Sequence, residues 1–228
     1  MKPLISVIIP FYNCSYVDQA ITSVLQQDYP NVEIIVVDDG STNDYIANIQ
    51  PYMNIIKYIY KRNGGTATAL NKGIEHARGD YICWLSSDDV FLQGKIGKQY
   101  EWMIANHSNI SFTSFYTMNS EGMRTSGPIQ LNIEDQKQLK RILKRRNLFN
   151  GSTVMLKKEV FEQIGLFNED FRYTHDYEFW LRASQKYVLG YIKTPFTSYR
   201  IHEKMGTKRF KKEVSKEVQV IRQTYAKE

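Results

Sequence analysis

The sequence predicts an α/β fold in which helices cover both faces of a mostly parallel central sheet. Three observations support this. Strand-like and helix-like segments alternate along the first 85 residues, the strands are continuous apolar runs, and polar clusters follow three of them. Continuous apolar strands are typical of parallel sheets, which are buried on both faces, and their alternation with helices indicates βαβ units.

The elements of this first part follow from periodicity and from the residues that end each run. They are a strand at 4–9 ended by Pro10, a helix at 17–25, strands at 32–37 and 55–60, a helix at 66–77 and a strand at 81–85. Ligands of parallel sheets bind beyond the carboxyl ends of the strands. We therefore expect the polar clusters after the first, second and fourth strands to share one edge.

The second half is less regular but still alternates. It predicts helices near 93–106, 134–146, 158–164 and 176–186, and strands near 110–117, 152–157, 187–192 and 196–201. From Lys208 onward the sequence is rich in Lys and Glu and predicts a final helix. No internal repeat or flexible linker interrupts the chain, so one domain with a C-terminal helix is expected.

The composition is that of a globular protein with a modest positive charge. Lys and Arg number 30 against 24 Asp and Glu, for a formal net charge of +6. This excess favours phosphate-rich ligands or anionic surfaces, and without a nucleic-acid-binding motif it does not indicate nucleic acid. No stretch approaches the roughly 20 apolar residues that span a bilayer, and the N-terminus does not resemble a signal peptide, so a cytoplasmic location is expected.

Two adjacent acids, Asp88 and Asp89, follow the fourth predicted strand. Because an unpaired carboxylate is costly to bury, a solvated turn that caps the next helix explains them without any chemistry. The alternative is a site for a hard divalent cation, Mg²⁺ or Mn²⁺, which prefers carboxylate and phosphate oxygens. The local sequence leaves both interpretations open.

The clusters after the first two strands offer groups for a nucleotide base. The second reads Asp38-Asp39-Gly40-Ser41 and fits a turn or helix cap. A carboxylate at that edge could also accept the imide N–H of a pyrimidine. The first cluster contains Tyr12, which is either a core aromatic or a flat face for a base to stack on.

A glycine-rich loop, Arg62-Asn63-Gly64-Gly65, precedes the helix predicted at 66–77. Backbone N–H groups at a helix start can meet phosphate, although Gly-Gly is often only a turn. Two absent motifs are more informative. No GxGxxG is present, which counts against a dinucleotide oxidoreductase, and no GxxxxGK[ST], which counts against a P-loop kinase or NTPase.

Two residues of the second half are candidates for chemistry. Asp176 lies in the first turn of a predicted helix, where the helix dipole favours a negative charge. It is either a cap or a general base that takes a proton from an attacking hydroxyl. His202 follows the last predicted strand, and a single histidine there is either structural or a ligand.

Taken in order, six segments resemble glycosyltransferase family 2, whose members have the GT-A fold, a Rossmann-like α/β sandwich. The segments are ISVIIPFYN at 5–13, VVDDGSTND at 36–44, NKGIEHARGDYICWLSSDD at 71–89, GSTVMLKKEVFEQIGLFNEDF at 151–171, HDYEFWLR at 175–182 and YRIH at 199–202. Each motif alone is common, but six in the same order are specific. The resemblance covers the chain from residue 5 to about residue 202.

The resemblance implies an inverting glycosyltransferase that moves a sugar from a nucleotide-diphosphate sugar to an acceptor hydroxyl. UDP is the most frequent donor nucleotide in the family, followed by dTDP and GDP. A hexosyl- or N-acetylhexosaminyltransferase of polysaccharide or cell-surface glycan biosynthesis is implied, with a saccharide or lipid-linked saccharide as acceptor. The implied GT-A domain is 1–206, with a nucleotide-binding half of about 1–90 and an acceptor-binding half of about 91–206, followed by a basic amphipathic helix at 207–228.

The resemblance also implies roles for individual residues. Asp176 matches the catalytic base of the inverting members. The cation, Mn²⁺ or Mg²⁺, would be bound by Asp89, Asp88 and His202. The implied donor-binding residues are Pro10, Tyr12, Asp39, Gly65, Asn71 and Asp88.

Two positions depart from the family pattern. The first acid of the usual Asp-x-Asp signature is Ser86 here, which bears on the affinity for the metal. The usual Glu-Asp pair at the base is His175-Asp176, which leaves the base in place. Ser86 also favours a degenerate domain that only binds nucleotide sugar. A sugar nucleotidyltransferase is a further alternative, but its Gly-rich, Lys-bearing N-terminal loop is missing.

Two basic amphipathic stretches have two interpretations. They are residues 137–148 (KQLKRILKRRNL) and the tail, in which Val214, Val218, Ile221 and Tyr225 recur at helix spacing. Each either packs on its own domain or docks on an anionic membrane that carries a lipid-linked acceptor. In the second case the protein would be peripheral at the inner face of the membrane.

Overall fold

The computed structural model describes residues 2–225, apart from the side chains of residues 43, 44 and 207. The strands are β1 (Ile5–Phe11), β2 (Val32–Asp38), β3 (Lys57–Tyr60), β4 (Tyr81–Trp84), β5 (Val90–Phe91), β6 (Ile110–Met118), β7 (Met155–Lys157) and β8 (Leu189–Arg200). The helices are α1 (Val17–Leu25), α2 (Thr66–His76), α3 (Lys95–Ala105), α4 (Gln136–Leu143), α5 (Glu159–Ile164), α6 (His175–Lys186), α7 (Gly206–Arg209) and α8 (Lys211–Tyr225). Short 3₁₀ turns lie at Asn43–Asn48, Gln50–Tyr52 and Gly151–Thr153.

The strands form one mixed, mostly parallel sheet in the order β3-β2-β1-β4-β7-β6-β8-β5. Strands β1 to β4 are parallel to their neighbours among themselves. β7 runs antiparallel between β4 and β6, and β6 pairs with β8 in parallel. Two reversals restore the direction, so β8 points the same way as β1, β2 and β4.

Helices cover both faces of the sheet, as the sequence predicts. α1 and α3 contribute to the apolar cluster on one face, and α2, α4, α5, α6 and α8 contribute to the cluster on the other. Strand β1 serves both, because Ile8 belongs to one cluster and Val7 and Ile9 belong to the other. Alternate side chains of a strand point to opposite faces, so a strand buried on both faces reads as a continuous apolar run.

The structure differs from the predicted elements in the extent of β1, in β8 and in β5. β1 continues through Pro10 to Phe11, and Pro10 lies beyond the last residue of β1 that pairs with β4, Ile8. A proline without an N–H is tolerated where no second neighbour needs that donor. The strands predicted at 187–192 and 196–201 are one strand, β8, because register shifts opposite Thr113–Phe115 absorb the irregular residues between them. The two-residue strand β5 is too short for any sequence pattern to predict.

Both predicted amphipathic helices turn their apolar residues inward. Leu139 and Leu143 of α4 are buried, and so is Ile221 of α8. Val218 and Tyr225 of α8 pack against the same core. The last three residues of the predicted helix at 207–228 lie outside the described residues. Within residues 2–225, no helix has the length and apolar character that crossing a bilayer requires.

Candidate active site

Four strands end at one edge of the sheet and bring their polar clusters together. β1, β2 and β4 are parallel, and β8 points the same way. The loops contact each other directly: the Asp39 N–H donates to the Phe11 carbonyl at 2.8 Å, and the Cys14 thiol donates to the Ser87 carbonyl at 3.4 Å. The shared edge expected from the sequence is therefore present.

Asp39 is almost fully buried, and the loop after β3 holds its carboxylate. Oδ1 accepts hydrogen bonds from Lys61 Nζ at 2.5 Å and from the Gly64 N–H at 2.9 Å. Oδ2 accepts one from the Gly65 N–H at 2.7 Å. Lys61 therefore neutralises Asp39. Sequence reasoning missed this lysine, although it directly precedes the Arg62–Gly65 loop.

The free acceptor capacity of Asp39 is limited. A carboxylate offers about four lone-pair positions, two on each oxygen. The Oδ1 positions are both used and one remains on Oδ2, so Asp39 has room for one further N–H donor. The glycine N–H groups that were expected to meet phosphate are directed to Asp39 instead. Gly65 has a φ of 97°, and a side chain there would meet Arg172 Cγ at 3.2 Å.

Pro10, Tyr12 and Asn71 occupy three different environments. Pro10 is buried within β1, whereas the Tyr12 ring is 53% exposed at the edge and accessible to a stacking partner. Asn71 is buried, and its Nδ2 donates to the Phe167 carbonyl and to Glu169 Oε1, both at 2.9 Å. Its Oδ1 accepts from the Phe167 N–H at 3.0 Å. Asn71 thus connects α2 to the segment before α6. Its side chain could contact a nucleotide sugar only if these hydrogen bonds broke.

Asp88 and His202 form a polar pair at the edge. Asp88 Oδ2 and His202 Nε2 are 3.0 Å apart, and both side chains are partly exposed. The edge of the Tyr16 ring packs against the imidazole. A carboxylate oxygen and an imidazole nitrogen fit a divalent cation such as Mn²⁺. Among the described residues no group of three or more His, Cys, Asp or Glu side chains could hold a metal ion, so the pair fits a cation only if the donor supplies further oxygens.

Asp89 has a different environment from Asp88. It is fully buried, and its Oδ1 accepts from the Arg200 N–H at 2.9 Å, while its Oδ2 accepts from Ser152 Oγ at 2.6 Å. Burial, followed by the negative charge of Asp88, raises the pKa of Asp89 well above its usual range. The carboxylate therefore joins the loop after β4 to the end of β8 and to the turn at Gly151–Thr153.

Arg200 is a fully buried hub that sequence reasoning missed. Its guanidinium lies over the Tyr16 ring, 4.2 Å from the centroid, and donates to groups on two loops and on α1. The acceptors are the carbonyls of Asp88 at 2.8 Å, Asn119 at 3.2 Å and Ser120 at 3.1 Å, and Gln19 Oε1 at 2.7 Å. The available signal was its position in YRIH, two residues before the candidate ligand His202.

Asp176 lies in the first turn of α6 and remains partly accessible. Its Oδ2 accepts from Asn147 Nδ2 at 2.8 Å, and its Oδ1 accepts from the Tyr177 N–H at 2.7 Å. Burial raises the pKa of Asp176, and these hydrogen bonds and His175 partly oppose that shift. A carboxylate with a raised pKa is a stronger proton acceptor than an exposed one and suits general-base chemistry.

The neighbouring His175 replaces an acid of the family pattern and is buried between the rings of Trp84 and Phe167. Within the described residues neither ring nitrogen has a hydrogen-bond partner, although the backbone of Phe171 and Arg172 favours the charged form. Burial is the larger effect and lowers the pKa of His175, so the imidazole is neutral at pH 7.

Asp39, Asp89 and Asp176 are linked through connecting segments rather than by direct contact. Arg172 Nη2 donates to Asn63 Oδ1 at 3.0 Å, which joins the Asp39 loop to the segment before Asp176. On the other side, Asn147 binds Asp176, and Ser152, five residues later, binds Asp89. The segments 168–173 and 147–152 therefore connect the surroundings of Asp176 to those of Asp39 and Asp89.

Comparison with known proteins assigns the family. A family model described as Glycosyl transferase family 2 matches residues 6–165, more than half of the chain. The chain belongs to glycosyl transferase family 2. The matched part ends before α6, so Asp176 and His202 lie beyond it.

Relatives of this family-2 chain are glycosyltransferases by name. It is 34% identical over 211 residues to an uncharacterized glycosyltransferase of Rickettsia prowazekii (strain Madrid E), covering 90% of this chain and 66% of the relative. It is 34% identical over 208 residues to TuaG of Bacillus subtilis (strain 168), whose name refers to teichuronic acid biosynthesis, covering 89% of this chain and 77% of TuaG. A longer Rickettsia felis glycosyltransferase is matched over 36% of its length.

Solved structures share the fold at low sequence identity. S. aureus TarS 1-349 in complex with UDP-GlcNAc has a TM-score of 0.70 at 21% identity, covering 89% of this chain and 60% of that one. The mannosyltransferase PcManGT from Pyrobaculum calidifontis, in complex with GDP-Man and Mn²⁺, has a TM-score of 0.67 at 18% identity, covering 99% of this chain and 64% of that one. The expected GT-A type α/β sandwich is confirmed.

We predict that Arg200→Met destabilises this family-2 domain by at least about 3 kcal/mol, because the buried, charged guanidinium donates to four acceptors on two loops and α1 and all four bonds are lost together. Urea unfolding measures the change. Arg172→Met is the matched control, since that exposed side chain makes one hydrogen bond to a side chain, and we expect a change within about 0.5 kcal/mol. Equal effects of the two variants would contradict the role of Arg200 as a hub.

Proposed function

We propose that this chain transfers a hexose or N-acetylhexosamine from a nucleotide-diphosphate sugar to an acceptor hydroxyl, with inversion at the anomeric carbon. The proposal rests on one observation: Asp39, held by the loop after β3, and the Asp88–His202 pair lie at the same sheet edge. Asp39 suits the base of a nucleotide, and the Asp88–His202 pair suits a cation bound to its diphosphate. TuaG, named for teichuronic acid biosynthesis, supports a cell-surface polysaccharide as the product.

The single free acceptor position of Asp39 favours a pyrimidine imide as the base. Uracil and thymine present one N–H on the edge that pairs in nucleic acids, and that donor fits the remaining position on Oδ2. Guanine presents two adjacent donors that match both oxygens of a carboxylate, and Oδ1 is already occupied by Lys61 and Gly64. The exposed Tyr12 ring would stack on the base. The UDP-bound TarS structures agree with this choice, whereas PcManGT carries GDP-Man.

Asp88 and His202 are the residues that would hold the cation, together with oxygens of the diphosphate. Mn²⁺ or Mg²⁺ bound there would neutralise charge on the leaving diphosphate. Asp89 would support the cation site indirectly, because its bond to the Arg200 N–H fixes the end of β8 two residues before His202. Ser86 is half-buried, and its N–H donates to Ser152 Oγ at 3.0 Å. This bond holds the loop after β4 without a carboxylate at that position.

We predict that UDP and dTDP raise the melting temperature more than GDP does, and that Mn²⁺ increases their effect, since ligands of the folded state stabilise by mass action. Asp88→Asn and His202→Ala should remove the Mn²⁺-dependent part and keep the metal-free UDP shift. Asp80→Asn, an exposed acid at the opposite end of β4, should keep both. A GDP shift as large as that of UDP would contradict the argument from Asp39.

Asp176 would take the proton from the acceptor hydroxyl as that oxygen attacks the anomeric carbon. Its hydrogen bonds to Asn147 and to the Tyr177 N–H fix the direction of the carboxylate, and partial exposure leaves it open to an acceptor. Attack from the face opposite the departing diphosphate produces inversion in one step. Alignment of the two substrates by the protein supplies much of the remaining acceleration.

We predict that Asp176→Asn keeps UDP affinity but lowers turnover at least about 100-fold, because general-base catalysis contributes roughly 10²–10⁴-fold. UDP released from UDP-GlcNAc, with water as acceptor, measures turnover, and calorimetry with UDP measures binding. Asp170→Asn is the control, since Asp170 is an exposed acid of the preceding segment. Near-normal turnover of Asp176→Asn would remove the base from its role. A wild-type protein that binds UDP and releases none from any UDP-sugar would indicate a binding domain instead.

The acceptor could be brought to the domain by a membrane surface, and the structure restricts how. Leu139 and Leu143 of α4 and Ile221 of α8 are buried, and Val220 is the exposed large apolar side chain of α8, so contact would rest mainly on charge rather than on insertion. Exposed basic side chains lie along α4 and just after it; they are Lys137, Arg141, Lys144, Arg145 and Arg146. We propose that this basic surface contacts anionic lipid peripherally.

We predict that the protein co-sediments with anionic phosphatidylglycerol vesicles at low salt and is released at high salt, because salt screens exposed charges. Replacing Lys144, Arg145 and Arg146 by glutamine should weaken binding. Replacing the exposed Lys193 and Lys211 on other surfaces should have a smaller effect. Co-sedimentation that is insensitive to salt and to lipid charge would contradict the proposal.

A further inference from the structure

The C-terminal helix α8 contacts the beginning of α6, the turn that carries Asp176. Glu217 of α8 is half-buried, and its Oε2 accepts from the Tyr173 N–H at 3.0 Å and from Thr174 Oγ1 at 2.7 Å. Both donors immediately precede the first residue of α6. The Glu217 carboxylate, some 40 residues away in sequence, thus binds the two residues that precede α6.

Further turns of α8 extend the same contact along α6. Ile221 is fully buried in the core, and the Tyr225 hydroxyl donates to Glu178 Oε1 at 2.6 Å. The side chain of Arg222 hydrogen-bonds to Tyr177. Residues 217, 221 and 225 are spaced by four, so one face of α8 makes these contacts. The first turns of α6 are therefore packed against α8 and do not stand alone.

The N-cap residue of α6 does not cap the helix with its own side chain. The N-terminal N–H groups of a helix need partners from outside the helix, and a negative charge there is stabilising. Thr174 occupies the N-cap position, yet within the described residues its side chain makes no capping bond to α6. Its hydroxyl donates to Glu217 instead. Glu217 therefore holds the two residues before α6 by hydrogen bonds and adds a further acid beside a first turn that already carries Asp176 and Glu178.

This arrangement matters because Asp176 is two residues after Thr174. Its Oδ1 is bound by the N–H of the following residue, Tyr177, so the direction of the carboxylate depends on the path of the first turn. Small displacements of a reacting group are costly, since misplacement by about 1 Å can lower a rate roughly 100-fold. A group that holds residues 173 and 174 consequently holds the base.

We infer that Glu217 is a positioning residue of the transfer reaction and that α8 is part of the catalytic unit. This inference rests on the proposed role of Asp176 as the base. Glu217 acts through hydrogen bonds that its side-chain oxygen accepts, and it acts on the base without a contact to the donor site. Its loss lowers turnover and leaves nucleotide binding unchanged, whereas loss of a residue that only supports the fold would weaken both.

The test compares full-length variants. Glu217→Ala removes the acceptor, Glu217→Gln keeps an amide oxygen that accepts the same bonds, and Glu213→Ala changes an exposed acid one turn earlier on the same helix. UDP release from UDP-GlcNAc gives kcat and KM, and calorimetry with UDP gives the dissociation constant. We expect kcat of Glu217→Ala to fall roughly 10- to 100-fold with UDP affinity within about twofold of wild type. Glu217→Gln should recover most of the rate, and Glu213→Ala should match wild type.

A second variant tests the same bond from the other side. Thr174→Val removes the hydroxyl that donates to Glu217 and keeps the shape of the side chain. Because both residues act through one contact, the double variant with Glu217→Ala should be no slower than Glu217→Ala alone. Multiplicative losses would overturn the inference. If Glu217→Ala does not fold, Thr174→Val alone decides, and a kcat within about twofold of wild type would then count against the inference.

The outcomes separate this inference from the proposed function. A large loss in Asp176→Asn with normal kcat in Glu217→Ala overturns only the positioning role. Equal losses of kcat and UDP affinity in Glu217→Ala also overturn it, because they indicate a general loss of structure. Normal turnover in Asp176→Asn overturns the function of the base, whatever Glu217→Ala does.

Discussion

The burial of two polar side chains, the Asp89 carboxyl group and the Arg200 guanidinium, is the constraint on which the polar edge of the sheet depends. Neither group can be left without partners in the interior, because an unsatisfied buried charge is far more costly than an exposed one. Asp89 satisfies its oxygens with the Arg200 N–H and Ser152, and the Arg200 side chain satisfies its donors with carbonyls of two loops and with Gln19 of α1. His202 follows Arg200 by two residues, and its position beside Asp88 is a consequence.

The same logic divides the acids of the chain into those enclosed by protein donors and those that stay accessible. Asp89 is enclosed by protein donors, whereas Asp88 keeps a partly exposed carboxylate beside His202. Asp39 lies between these cases, since the loop of Lys61 to Gly65 occupies most but not all of its acceptor positions. Near the start of α6, Asp176 is partly accessible, whereas Oε2 of Glu217 accepts hydrogen bonds from Tyr173 and Thr174. In each pair one acid holds the structure and the other remains available.

Much of the fold could be predicted because apolar periodicity reports burial directly. The four parallel strands of the first half and most of the later helices lie close to their predicted residues. The failures have physical causes: β5 has two residues and no pattern, and the β8 irregularity at 193–195 reads as a break although a bulge carries the strand through. The resemblance to the family grouped Asp89, Asp88 and His202 as metal ligands, but the contrast between Asp88 and Asp89 could not be predicted, since adjacent acids look alike in sequence.

The sequence by itself determined the layered α/β architecture, the shared edge of polar clusters and the identity of the candidate base, because each depends on local pattern or on motifs in order. Only the tertiary structure decided which acids are buried and what satisfies them. It assigned Asn71 to the link between α2 and the segment before α6, Lys61 to Asp39, and Glu217 to the start of α6. These pairings join residues 22 to 98 positions apart along the chain, and hydrogen bonds over such distances leave no periodic trace in the sequence.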